Sequence, residues 1–279
     1  MIQRDDVEEL AKQICRNRGM EFIGRVGEGT FKQTFHVKQA DGLPIALKLY
    51  KAGISTPRDQ REIEAMLKCT HPNIARLISV DTNVLGETQL VTVSEEFLSG
   101  GTLTSKGQIS RTAYLDIGKQ LIAAVGYIAS LRLVHRDIKP DNIIFREDGT
   151  TPVITDFGVV RDLTDSSLTP SWIARGPGTP FFASPEQLNN EKMLIDWRSD
   201  QFSLGVSLSF TAVGDHPYRV DRCSDADVVG RVSSRQGPAP VFEERFRADG
   251  LPVLLKMISP WPVDRYRKPE LLAAAWRQQ

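Results

Sequence analysis

The sequence predicts an α+β protein in which a β-rich N-terminal third precedes a mainly helical remainder, and two patterns carry that prediction. From Glu21 to Leu49, short apolar runs are separated by Gly-containing turns at Val26-Gly27-Glu28-Gly29-Thr30-Phe31 and Asp41-Gly42, the punctuation of paired strands. From Ser110 to about Ser130, Ile117, Leu121, Val125 and Ile128 recur at helical spacing behind a serine that can cap the first turn. With 279 residues and 41% hydrophobic content, the chain can bury a large core as one large domain or as two lobes.

The elements follow in order. Asp5, with Glu8 three positions on, can cap a first helix whose Val7, Leu10, Ala11 and Ile14 share one face and which ends near Gly19. Strands then occupy the stretch to Leu49, the last being Ile45-Ala46-Leu47-Lys48, an apolar run with one charge. Arg61 to Leu67 reads as a helix running into His71-Pro72-Asn73-Ile74, and Leu90 to Val93 as a strand. Between Gly158 and Ala183 the chain is rich in Ser, Thr, Gly and Pro, too polar for the core and long enough for a functional loop.

Composition excludes several classes. Lys plus Arg and Asp plus Glu both number 35, so zero formal net charge gives no bulk attraction to nucleic acid or to a membrane surface. Cys15, Cys69 and Cys223 are scattered and odd in number, which reads as reduced thiols in a cytoplasmic protein. The N-terminus lacks an apolar signal region, and no run approaches the roughly 18 apolar residues of a membrane span.

One constellation bears on chemistry. His135-Arg136-Asp137-Ile138-Lys139-Pro140-Asp141-Asn142 is followed by Asp156-Phe157-Gly158. A polar turn between two strands accounts for a lone Asp-Gly, but not for His, Arg, Lys and Asn at fixed offsets. These residues resemble the catalytic loop and metal-binding triplet of eukaryotic-type (Hanks-type) serine/threonine protein kinases. The resemblance spans roughly residues 20–276, with the motifs in family order. It implies a bilobal protein kinase fold formed by a single domain, with residues 1–97 as the smaller lobe and residues 98–279 as the larger, helical one.

The resemblance also implies roles. Asp137 receives the substrate hydroxyl, Asn142 and Asp156 hold Mg2+ against the phosphates of ATP, and Lys139 neutralises the migrating phosphoryl group. Magnesium prefers hard oxygen donors, which suits Asn142 and Asp156. Lys48 grips the phosphates with Glu62 as its ion-pair partner; Glu64 is the alternative, but it lies two positions round the helix. Val26, Gly27, Glu28, Gly29, Thr34, Ala46, Glu96, Leu98 and Ile144 surround the nucleotide. The glycine loop departs from the family: Lys32 stands where a third glycine is usual, and Thr34 replaces valine. Glu95, or Ser94 one residue earlier, occupies the position behind the nucleotide where an apolar residue or Thr is usual.

Gly178-Thr179-Pro180-Phe181-Phe182-Ala183-Ser184-Pro185-Glu186 resembles the close of a kinase activation segment, with Ser184 in place of the commoner Ala. There Thr179 orients Asp137 and Lys139. Asp196 to Gly205 resembles the central helix, with Asp200 anchoring the catalytic-loop backbone, and Arg265 is the expected buried partner of Glu186. The pattern at Lys139 and Thr179 points to transfer onto Ser or Thr of protein substrates. Arg136 can read a phosphate bidentately, so either Thr169 or Ser171 is self-phosphorylated or the loop needs no phosphate. A pseudokinase scaffold and a small-molecule phosphotransferase of related fold are the alternative readings.

Overall fold

The computed structural model describes residues 4–28, 32–50, 64, 66–67, 69–85, 88–156 and 180–279. They divide into two compact units, one ending at Leu98 and the other starting at Ser99.

The first unit opens with α1 (Arg4–Asn17). Asp5, expected to cap this helix, lies within it. Val7, Leu10, Ala11, Ile14 and Cys15 are buried along one stripe, as their spacing predicts. Gly19, at φ 63°, turns the chain into an antiparallel sheet of order β1-β2-β3-β5-β4. Its strands are β1 (Glu21–Glu28), β2 (Lys32–Lys38), β3 (Pro44–Tyr50), β4 (Leu77–Leu85) and β5 (Thr88–Glu96).

The α1 stripe packs on Phe35, Val37, Ile45, Leu47, Leu49 and Leu90. Each such buried apolar side chain contributes roughly 1.5–3 kcal/mol. Because side chains alternate along a strand, burying Ile45, Leu47 and Leu49 under α1 sends Ala46 and Lys48 to the opposite face. β5 is longer than the apolar run Leu90 to Val93 predicts: Ser94, Glu95 and Glu96 stay in the ladder opposite Leu47, Ala46 and Ile45. Three polar residues hid the end of a strand that sheet pairing maintains. Of the helix expected over residues 61–67, the described residues Glu64, Met66 and Leu67 are helical.

In the second unit, α2 (Arg111–Ser130) begins where Ser110 accepts the Ala113 N–H, and it buries the expected Ile117, Leu121, Val125 and Ile128. The hairpin of β6 (Ile143–Phe145) and β7 (Pro152–Ile154) follows. Next come α3 (Pro185–Leu188), α4 (Trp197–Val213), α5 (Asp225–Ser233), α6 (Pro240–Ala248), α7 (Pro252–Met257) and α8 (Pro269–Trp276). α4 is capped by Asp196, and every residue from Ser199 to Ser209 is buried, which makes it the central strut of this unit. Within it Ser207 Oγ donates to the Ser203 carbonyl at 2.8 Å, while Ser199 reaches out of the helix to Glu186. At Gly118 a Cβ would collide with the Trp276 ring at 2.0 Å, so only glycine lets α8 lie this close to α2.

Two buried histidines hold loops by the same device. His216 Nε2 donates to Phe181 O at 2.8 Å, while its Nδ1 accepts the Tyr218 N–H at 3.2 Å. Burial pushes its pKa down from 6.5 to about 3. Below about pH 6.5 the unfolded chain takes up a proton on this side chain that the folded protein refuses. Stability therefore falls as pH drops through that window, by up to about 1.4 kcal/mol per pH unit. His216→Gln removes this contribution. Urea melts should show the stability gap between wild type and variant narrowing by about 2 kcal/mol from pH 7 to pH 5; an equal gap at both pH values would contradict the assignment.

Candidate active site

The second unit carries a loop whose backbone is held at His135, Arg136 and Asp137 by side chains. Pro140–Asn142 forms a short 3-10 turn, and the chain then enters β6. Before it, Arg136 has φ 67°, a left-handed conformation costing a non-glycine residue roughly 1–3 kcal/mol. Asp200 on α4 offsets that cost: its Oδ2 accepts the His135 N–H at 2.7 Å and its Oδ1 the Arg136 N–H at 2.8 Å. The Arg136 carbonyl accepts from Gln187 Nε2 at 2.9 Å. Burial pushes the Asp200 carboxyl up to about 7, and the two N–H donors, one to each oxygen, oppose that rise.

His135 is fully buried, and desolvation lowers its pKa to about 4, so the ring is neutral near pH 7. Its Nδ1 accepts the Asp137 N–H at 3.3 Å, which puts the proton on Nε2, 3.2 Å from the Thr155 carbonyl. One ring thus links the backbone at Asp137 to the residue before Asp156. The Thr155 N–H in turn donates to Asn142 O at 2.9 Å, and Asp156 follows with φ 64°.

Asp137 lies at the centre of the cluster. Its Oδ2 accepts from Lys139 Nζ at 3.0 Å and from Asn142 Nδ2 at 2.8 Å, and Asn142 Nδ2 also reaches Asp137 O at 2.8 Å. With its amide hydrogens on Asp137, Asn142 directs its carbonyl oxygen elsewhere; that atom and the Asp156 carboxylate are hard oxygen donors of the kind magnesium takes. The Asp137 and Lys139 side chains retain 13% and 17% exposure, enough to meet a substrate while remaining desolvated. Ile144, on β6, pairs with Val153 and bridges to Thr102.

The expected buried pair between Glu186 and Arg265 is present. Arg265 Nη1 and Nη2 meet the two Glu186 oxygens at 2.6 and 3.0 Å with neither side chain exposed, and Ser199 Oγ adds a bond of 2.7 Å. Ser184 donates its backbone N–H and its hydroxyl to Gln187 Oε1 at 3.1 and 3.0 Å. The residues around Ser184-Pro185-Glu186 are thereby connected to the Arg136 carbonyl through a single glutamine.

In the first unit the strands bring a second group into rows. Gly27, Thr34, Lys48 and Val93 pair in succession across β1, β2, β3 and β5; Gly24, His36, Ala46 and Glu95 form the next row. The His36 ring stacks flat on Phe97, with centroids 3.9 Å apart. Val26 is exposed beside the β1 bulge, Glu28 ends that strand, Glu96 ends β5, and Leu98 is half-buried. Lys48 Nζ meets Glu95 Oε1, and both side chains are buried. Glu95 therefore shares a face with Lys48, opposite the one packed on α1, whereas Ser94 pairs opposite Leu47 on the α1 face.

The sequence names Glu62 as the partner of Lys48; Glu62 lies outside the described residues, as do Gly29, Thr30, Phe31, Phe157, Gly158, Thr179 and the serines and threonines between residues 164 and 171. Glu64, the alternative partner, is exposed. Sequence reasoning did not pair Lys48 with Glu95, because β3 and β5 are joined through β4 and no short turn reveals their register. The bond from Gln187 to Arg136 has no signal in the sequence.

Comparison with known proteins shows the family. The protein kinase domain family matches residues 20–276, and the chain belongs to that family. It is 30% identical over 284 residues to the probable serine/threonine-protein kinase MARK-C of Dictyostelium discoideum, covering 98% of this chain and 35% of that protein. With the probable serine/threonine-protein kinase PkwA of Thermomonospora curvata it shares 29% identity over 231 residues, 80% of this chain and 29% of the relative. The chain thus spans about a third of the length of these two relatives. A crystal structure of Rad53 1-466 in complex with AMP-PNP has the same fold, with a TM-score of 0.70, 22% identity, and coverage of 96% of this chain and 69% of that one. ATP and Mg2+ are the standard substrate and cofactor of the family.

Asp200→Asn keeps the shape but turns an NH2 group toward one of the two backbone N–H donors. The expected cost is about 1–3 kcal/mol by urea melt. Turnover should fall more than MgATP affinity does, because the loop carries Asp137 and Asn142 but not Lys48. Normal turnover in this variant would refute the anchoring role.

Proposed function

We propose that this chain transfers the γ-phosphoryl group of MgATP to serine and threonine hydroxyls of protein substrates. The observation that supports this most directly is the convergence of Lys139 Nζ and Asn142 Nδ2 on one oxygen of Asp137, within a loop fastened to α4. Phosphoryl transfer has a loose transition state, so the protein's task is mainly to position groups and neutralise charge.

Asp137 accepts the hydrogen of the incoming hydroxyl and orients it. Lys139, held by that same carboxylate, supplies positive charge to the oxygens of the migrating group. Asn142 and Asp156 are the residues that hold magnesium, and their donor atoms fit it. When bound, magnesium neutralises phosphate charge. Lys48 takes the α- and β-phosphates, with Glu62 as its expected ion-pair partner. Val26, Gly27, Glu28, Gly29, Thr34, Ala46, Glu96, Leu98 and Ile144 form the nucleotide surround, and Thr179 orients Asp137. Residues 1–97 and 98–279 act as the two lobes of a single catalytic domain.

Among the described residues no helix is long and apolar enough to cross a membrane. The balanced charge and the free cysteines support a cytoplasmic location with protein substrates in preference to nucleic acid.

Asp137→Ala should lower kcat by about a thousandfold while changing MgATP affinity little. Radiolabel transfer to a generic basic protein, alongside nucleotide calorimetry, checks both halves. An unchanged kcat would remove Asp137 from its role, and transfer to sugars or antibiotics instead of protein would establish the small-molecule alternative. Incubation with MgATP should also add phosphate at Thr169 or Ser171, read by intact mass and peptide mapping. A fully active enzyme with no added mass would show that the segment works without phosphate.

A further inference from the structure

β3 and β5 are inner strands of their sheet and pair antiparallel, with Ala46 opposite Glu95 and Lys48 opposite Val93. Lys48 and Glu95 therefore stand on the same face as diagonal neighbours, a separation that long side chains bridge. The bridge is made: Lys48 Nζ donates to Glu95 Oε1, with the side chains only 4% and 7% exposed. At that depth little solvent screens the attraction between the two charges.

We infer that Glu95 is a positioning residue for the nucleotide, a carboxylate set by sheet register that holds the Lys48 ammonium ready for phosphate oxygens. This rests on the reading of Lys48 as the phosphate-holding lysine. Six consecutive pairs run from Ile45 opposite Glu96 to Tyr50 opposite Val91, so Glu95 cannot slide relative to Lys48 unless that ladder breaks. A carboxylate on a helix can be withdrawn when the helix moves; one on the adjacent strand travels with the lysine. Prefixing the ammonium in this way spares nucleotide binding the cost of ordering a long, flexible side chain.

A purely structural role, in which Glu95 only neutralises a buried lysine, predicts a stability defect with no specific bearing on phosphate. Calorimetric titration of MgATP into the full chain separates the two through a double-mutant cycle of Glu95→Gln and Lys48→Met. With Lys48 present, Glu95→Gln should weaken MgATP about tenfold, in the range found for directly coupled neighbours, and with Lys48→Met it should have no further effect. Equal weakening in both backgrounds, or none with Lys48 present, overturns the inference. Should Glu95→Gln melt below the assay temperature, Glu95→Asp carries the test. It keeps the charge but shortens the reach by one methylene, and is expected to weaken MgATP about threefold in the Lys48 background alone; unaltered affinity again overturns the inference. A wild-type protein that binds MgATP but never transfers phosphate would defeat the kinase reading and leave the cycle to decide the role of Glu95. One that binds no MgATP defeats both.

Discussion

Asp200 is the group on which the catalytic loop depends. A loop with a left-handed arginine in its middle does not hold that shape by itself, since the conformation is uphill by roughly 1–3 kcal/mol. Here both backbone groups of Arg136 are taken by side chains, its N–H by Asp200 and its carbonyl by Gln187. The neighbouring His135 N–H goes to the second Asp200 oxygen. A carboxylate is the only common side chain that offers two equivalent acceptors to two parallel N–H groups, and burial in a helix that is itself surrounded on all sides fixes where those acceptors lie. Asp137, one residue beyond Arg136, inherits its direction from that attachment.

The same economy appears around Glu186. A fully buried carboxylate and guanidinium are not strong evidence for stability in themselves, because desolvation opposes their attraction. What the pair supplies is connection. Arg265 also donates to the carbonyls of Arg198 at 2.9 Å, Ser259 at 2.8 Å and Pro260 at 3.2 Å, and its guanidinium lies 4.7 Å from the Phe202 ring centroid. One side chain therefore gathers α3, the start of α4 and the chain after α7. From α3, Gln187 returns to the catalytic loop. The elements that present Asp137 and those that close the segment before Ser184 are thus parts of one bonded frame.

Much of this was legible in the sequence, and the boundary of legibility has a physical explanation. Local chemistry was readable: the Ser110 cap, the α2 stripe and the first helix follow from periodicity and capping, whereas Lys139 and Asn142 were picked out by motif resemblance and their bonds to one Asp137 oxygen were not foreseen. The roles of Asp200 and Arg265 were reachable only through family resemblance, since a buried charge and a surface charge look alike in a string of letters. The end of β5 and the pairing of Glu95 with Lys48 were not legible, because both depend on the register of strands that are not consecutive. Without that register, Glu95 reads only as a misplaced charge.

The two faces of the first unit's sheet show why that register matters. α1 lies before residue 20, outside the span matched to the kinase family, yet its stripe completes the core on the face formed by Phe35, Val37, Ile45, Leu47, Leu49 and Leu90. Once that face is committed to apolar packing, the period of two leaves no choice for the other: Thr34, Lys48 and Glu95 must share it. A slip of one residue in β3 would bury the Lys48 ammonium against α1 and expose Leu47 and Leu49 on the opposite side. The hydrophobic seal under α1 therefore also governs the electrostatics, because it is the reason a lysine and a glutamate, forty-seven positions apart in the chain, meet at all.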